Sequence, residues 1–265
     1  MTIQEIKKSA KISLKGNYLK CFSMTLLYFI IVVVLTFLLS LVETNLENHT
    51  VILVIVQAVF GIISSILSYG VIVNVISVSA NETKSITKFI DISIRNAPKY
   101  IVILLNVLLR ILAPLIITLL CFFYLFGTFV AYATETNFLC FYSNLLPLAI
   151  ILFIACIIVL IYFMLKYVLV AFIYKSNPEL SAKEIVAKSN QLMKKQKLGY
   201  VMLILSFAGW LLLVSVILYL LGYFVDAIYL TPIIILFYSL IRPYIILSEW
   251  NFYENLNSNE QTKAE

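Results

Sequence analysis

Six apolar stretches, each long enough to cross a hydrocarbon layer, leave this chain little choice of surroundings. They run at roughly Cys21 to Val42, Val51 to Ser79, Ile101 to Ala133, Leu145 to Tyr174, Tyr200 to Val225 and Ile228 to Ser248. A bilayer core of about 30 Å asks for about 20 helical residues, and a helix satisfies its own backbone polar groups where no water can. Of the 265 residues 63% are hydrophobic and 12% charged, against about a quarter charged in a soluble domain. That leaves too little polar surface to cover a water-soluble globule. The expected fold is all-α, a polytopic membrane helical bundle of six transmembrane helices. It forms a single membrane domain over residues 1–256, followed by a polar tail at 257–265.

The charges sort by segment. Before the first span stand Lys7, Lys8, Lys11, Lys15 and Lys20. Lys84, Lys88, Arg95 and Lys99 separate the second and third spans, and Lys175, Lys183, Lys188, Lys194, Lys195 and Lys197 separate the fourth and fifth. Lys263 lies in the tail, while the three opposite loops carry Glu43, Glu47, Glu135 and Asp226 and no base. Basic flanks face the cytoplasm, so both termini are expected there, in a bacterial plasma membrane. The first span is longer than a signal-peptide core and no A-x-A-like site follows it, so it is expected to remain as an anchor.

Within the spans, Gly61/Ser65 and Ser64/Ser68 have the small-xxx-small spacing that lets helix backbones approach. The third stretch is too long for one straight perpendicular span. Pro114 offers it a kink or break, and Arg110 places its first turns near the inner surface.

The basic segments are themselves patterned. Ser181 and Glu184 form an S-x-x-E capping box after the turn-like Asn177-Pro178. Beyond it Ile185, Val186, Ser189, Leu192 and Met193 fall on one face at helical spacing, with lysines around the other. Such an amphipathic helix lies in the cytoplasmic interface, with Lys188, Lys194, Lys195 and Lys197 toward anionic inner-leaflet lipids at about 1 kcal/mol each. Ile3, Ile6, Ala10 and Leu14 share a face in the amino-terminal segment, with Gly16 as its stop. In the middle segment Ile86, Phe89, Ile90, Ile94 and Ala97 do the same, with Lys88 and Arg95 toward the membrane surface. The three segments end at Tyr18, Tyr100 and Tyr200, which suggests a threefold repeat of basic surface helix and membrane hairpin.

"NPELSAKEIVAKSNQLMKKQK" (177–197), "LSFAGWLLL" (205–213) and "PYIILSEWNFYENL" (243–256) resemble the bacterial membrane protein family called domain of unknown function 975. "SLKGNY" at 13–18 is similar to that family's opening. Lys195 stands where the family usually has glycine, no Pro-Gly occurs near Tyr162 and Phe163, and the run between Leu221 and Arg242 is longer. The resemblance implies an integral membrane protein with no established activity.

Ionisable groups in hydrocarbon are costly, which makes Arg110, Lys166 and Arg242 the ligand-binding candidates; Asn106 shares a face with Arg110. All three cations fall in the inward half of their spans, where long side chains can also snorkel to the surface. No H-E-x-x-H, P-loop or G-x-S-x-G occurs and no carboxylates cluster, so no enzyme and no catalytic residue is expected. Cys21, Cys121, Cys140 and Cys156 include no C-x-x-C, and His49 is the only histidine. Neither a metal, a disulfide framework nor any cofactor is expected. The net charge of +6 is sorted by membrane side and belongs to no nucleic-acid-reading motif. Trp210 and Trp250 read as helix-packing or interface residues.

The leading expectation is a non-enzymatic accessory protein that binds a partner or protects the membrane in the manner of an immunity protein. Its partners are the bilayer, its anionic lipids, and another membrane protein or a peptide. The alternative is a transporter or lipid- or peptide-binding permease using Arg110, Lys166 and Arg242.

Overall fold

A computed structural model of the chain describes residues 2–45, 49–82, 85–133, 146–223 and 227–264. Glu47, Lys84, Glu135 and Asp226, assigned above to loops, lie outside those residues, as do Cys140 and the side chain of Lys263. Among the described residues every regular element is helical: α1 (Ile3–Leu14), α2 (Tyr18–Asn45), α3 (Thr50–Ser79), α4 (Lys88–Ala133), α5 (Leu146–Leu165), α6 (Val170–Ser176), α7 (Ala182–Met193), α8 (Lys197–Leu221) and α9 (Ala227–Ala264). Six segments are long and apolar enough to cross a membrane, carried by α2, α3, α4, α5 with α6, α8 and α9. The chain is a polytopic, all-α membrane protein.

It divides into two compact units. One comprises Met1–Ile101, Tyr174–Ser176 and Leu198–Glu265; the other comprises Val102–Ile173 and Asn177–Lys197.

In the first unit α1 opens on a capping box. The Glu5 N–H donates to Thr2 Oγ1 at 3.3 Å and the Thr2 N–H to Glu5 Oε2 at 2.7 Å. Ile6, Ala10 and Leu14 are buried, and Gly16 at φ +87° ends the helix, a backbone conformation that glycine adopts without strain. Packing α1 against α9 fixes the carboxyl-terminal part of the chain: Asn251 Nδ2 donates to the Ile6 carbonyl at 3.3 Å, and Phe252, Tyr253 and Leu256 are buried. As a result α9 stays helical through the segment expected to be a polar tail and runs to Ala264.

Pro243 sits inside α9. Having no N–H, it leaves the carbonyl of Ser239, four residues earlier, without its helical partner. Thr25 Oγ1 on α2 donates to that carbonyl at 2.9 Å, and Tyr18 OH donates to the next, Leu240, at 2.8 Å. The proline is thus accommodated where neighbouring hydroxyls replace what it removes.

The close helix approach expected at Gly61 occurs at Gly70 instead. A Cβ at Gly61 would meet nothing, whereas one at Gly70 would collide with Ser93 Oγ and the Phe89 carbonyl of α4. This contact turns the opening of α4. Phe89, Ser93 and Tyr100 are buried and Ile94, expected on the inner face, is 68% exposed. Ser93 is small and its hydroxyl is satisfied by the Phe89 carbonyl at 2.7 Å, so it fits against the glycine where an isoleucine would not.

α4 differs from expectation in a second way. It is a single helix of 46 residues through both Pro98 and Pro114, with no separate surface helix and no break at Pro114. At 1.5 Å per residue it is about 69 Å long, more than twice the hydrocarbon thickness.

In the second unit the fourth apolar stretch is interrupted after Leu165 and resumes as α6 at Val170. The turn tightens to i→i−3 hydrogen bonds, Lys166 N to the Phe163 carbonyl at 3.2 Å and Tyr167 N to the Met164 carbonyl at 3.0 Å. The Lys166 carbonyl accepts Ser189 Oγ of α7 at 2.9 Å. α7 has its own capping box, Glu184 N to Ser181 Oγ at 3.3 Å and Ser181 N to Glu184 Oε2 at 2.7 Å. Its buried residues are Ile185, Val186, Ser189, Leu192 and Met193.

Candidate functional site

A concavity lies in the first unit, bounded by α1 and the middle stretches of α8 and α9. It is a groove of about 1030 Å³. Lys7, Lys8, Lys11 and Lys15 border it from α1, and Phe207, Trp210, Leu240, Ile241 and Tyr244 give its floor. None of its lining residues is acidic.

Its construction follows from the three helices. α1 buries only a narrow stripe, so its lysines flank that stripe closely and overhang α8 and α9. Phe207 is buried edge-on to Tyr244, with ring centroids 5.3 Å apart and planes at 83°. This apolar wall supports Lys7, whose ammonium lies 4.4 Å from the Phe207 centroid and donates to the Ser206 carbonyl at 3.1 Å and hydroxyl at 3.2 Å. Lys7 is therefore engaged in holding α1 on α8. Lys8, Lys11 and Lys15 are exposed and have no partner among the described residues. Trp210, 61% exposed, and Ile12, 64% exposed, present apolar surface beside them.

The Glu5 carboxylate caps α1 and forms no ion pair with these lysines among the described residues. The Thr2 backbone N–H holds its pKa below the usual glutamate value. Charge and oil thus meet along one groove, an arrangement suited to an anion that carries its own apolar body.

The intramembrane cations are distributed differently. Arg110 is exposed on α4, and the Asn106 amide donates to the Val102 carbonyl of its own helix at 2.8 Å. Lys166 is half-buried, its ammonium 4.0 Å from the Phe163 centroid and 5.2 Å from Tyr162. These three belong to the second unit. Its apolar groove of about 430 Å³, with Val107, Ile111 and Ile161 in its lining, is lined by none of them.

Arg242 belongs to the first unit and does not line the basic groove. Its charge acts instead on a buried pair, Tyr200 OH donating to Glu249 Oε1 at 2.6 Å. Of the surface cations, Lys88, Arg95, Lys194 and Lys195 are exposed, Lys188 is half-buried, and Lys197 lies 3.8 Å from the centroid of the Tyr162 ring.

Sequence reasoning set Lys7, Lys8, Lys11 and Lys15 beside the apolar face of a basic surface helix without naming them as a site, and left Trp210 to packing or the interface. An available signal was the T-x-x-E box at Thr2, which fixes the helix phase and hence which lysines share a side. Two further groupings join residues distant in sequence. The rings of Tyr69, Tyr100 and Tyr174 stack with centroids 4.5 Å and 5.1 Å from Tyr69, and the Cys121 and Cys156 thiols lie 3.3 Å apart.

The family model described as protein of unknown function, DUF975, matches residues 1–260. No curated protein and no solved structure matches the chain.

Proposed function

The chain belongs to the DUF975 family of proteins of unknown function, and from that premise we propose that it is a non-enzymatic accessory protein of a bacterial plasma membrane whose groove between α1, α8 and α9 holds an anionic amphiphile. The observation that carries this reading is the row of unpartnered lysines over an apolar floor without a carboxylate. The sorting of basic residues between loops supports placing both termini, and so α1 and the groove, on the cytoplasmic side. Capturing an amphiphile there suits an accessory or protective role, and it requires no bond to be made or broken.

A transport pathway built on Arg110, Lys166 and Arg242 has less support. Lys166 is stacked on aromatic rings, and Arg242 acts on the Tyr200 and Glu249 pair. The test is native mass spectrometry of the full chain extracted from its own membrane. The expected result is a retained anionic amphiphile that is lost when Lys8, Lys11 and Lys15 are all changed to glutamine. Retention of the same molecule by that variant, or co-purification of a protein partner alone, would overturn the reading.

A further inference from the structure

We infer that the occupant of the groove is an anionic, two-chain phosphodiester lipid of the inner leaflet, its phosphate held by Lys8, Lys11 and Lys15 and one chain lying against Trp210 and Ile241. This rests on the groove reading above and adds the identity of the ligand class. Three observations lead to it.

The first is what the lining offers. A peptide backbone would need a row of paired donors and acceptors, yet two of the polar groups at the floor are already engaged. Ser206 receives Lys7, and Tyr18 OH is given to the Leu240 carbonyl. What remains is positive charge and hydrocarbon with two isolated polar groups, the Tyr244 hydroxyl and the Trp210 indole N–H, and no alternating row of donors and acceptors; this matches a phosphodiester with acyl chains. Lys8 and Lys11 are three residues apart on one side of α1, and Lys15 stands at its C-cap. The three span about 10 Å along the helix direction, so they surround a headgroup better than they grip a single point charge.

The second is the direction in which the floor continues. On α8, Trp210, Leu213 and Ile217 are exposed at i, i+3 and i+7, leading away from the lysines into the span. On α9, Ile241, Phe237 and Ile234 continue in the same way, half-buried to exposed. Each ridge is about 10 Å long. A small soluble anion would make no use of them, whereas an acyl chain lies along them. The third is Ile12, exposed among the lysines. An apolar side chain on the cationic side of α1 is costly in water and favourable once acyl chains surround it.

The experiment uses the full chain with Trp250→Phe, so that emission reports Trp210. The protein is reconstituted into phosphatidylcholine bilayers containing a small, equal fraction of either phosphatidylglycerol or phosphatidylcholine with brominated chains, and quenching is compared. Brominated phosphatidylglycerol is expected to quench as though enriched about tenfold at the groove at ~0.1 M salt, with the enrichment shrinking as salt rises. Lys8→Gln/Lys11→Gln/Lys15→Gln should bring quenching down to the phosphatidylcholine level, and Lys8→Gln or Lys15→Gln alone should bring it part of the way. Equal quenching by the two lipids in the parent protein, or a preference that survives the triple change, overturns the inference.

A second arm uses a brominated fatty acid and an acidic peptide carrying a brominated side chain. Lysine-dependent quenching by either of these, without lysine-dependent quenching by phosphatidylglycerol, overturns the lipid assignment and leaves the groove reading standing. No lysine dependence with any probe overturns both.

Discussion

α1 and α7 are built alike and used differently. Both are twelve-residue helices opened by a hydroxyl-x-x-glutamate box, and each begins a segment rich in lysine. When Thr2 is set over Ser181, Glu5 falls on Glu184, and Ile6, Ala10 and Leu14 fall on Ile185, Ser189 and Met193, all of them buried. α7 then buries two further positions, Val186 and Leu192, where α1 has Lys7 and Ser13. Two substitutions in register convert a broad apolar face into a narrow one. α7 is held by a broad face. α1 rests on a thin stripe, and the cation at its edge is held by Ser206 and Phe207 while the lysines beyond it stay free. The width of the buried stripe decides whether a basic surface helix is simply packed or forms the rim of a binding groove.

Exchanging the residues that distinguish the two helices should have the largest effect in one direction only. Val186→Lys places an ammonium where the side chain is fully buried and nothing around it is arranged to receive it, so a loss of about 3 kcal/mol or more is expected. Lys7→Val removes the hydrogen bonds to Ser206 and the contact with Phe207, and should lower stability by no more than about 2 kcal/mol. Thermal unfolding of both variants in one detergent measures the difference. Equal midpoints would mean that the two helices do not differ in the width of the stripe they bury.

Ser189→Ala comes next. It keeps α7 buried but leaves the Lys166 carbonyl without its donor, at an expected cost of about 1–2 kcal/mol. The matching position in α1 is already alanine, Ala10, fully buried with no carbonyl to cap. Ala10→Gly should therefore act through helix propensity and the loss of one buried methyl, by about 1–2 kcal/mol together. If Ser189→Ala proves silent in an unfolding measurement, the interruption between α5 and α6 does not depend on α7.

The residues behind this contrast were unequally legible. Periodicity and the Ser181 box identified all five buried positions of α7, and the six spans followed from length and hydropathy, because both signals are local. Gly61 and Gly70 look alike in sequence; only the second meets another helix, and which one does is a tertiary fact. Ser93 reads as polar surface until Gly70 is found opposite, and Ile94 reads as core for the same reason. The interruption after Leu165 has no glycine or proline to announce it; its support is a serine more than twenty residues later. The groove joins residues 7–15 to residues 207–244, so no window along the chain contains it.

The smallest effect expected concerns the two boxes themselves, and it separates a shared design from a shared role. Thr2's backbone N–H, at 2.7 Å from the Glu5 carboxylate, holds that carboxyl below its unfolded pKa of about 4.5. The unfolded chain therefore takes up the proton first. The contribution of the ionised group is fully present above the unfolded value and is lost as the pH falls through the lowered folded one. Glu5→Gln keeps a partner able to close the box while removing the titration. Amide exchange in the first turn of α1, corrected for intrinsic rates, should accelerate with acid in the parent protein and not in Glu5→Gln. Acid acceleration that persists in the variant would place the titrating group elsewhere. The loosening would then belong to another carboxylate rather than to the cap that α1 shares with α7.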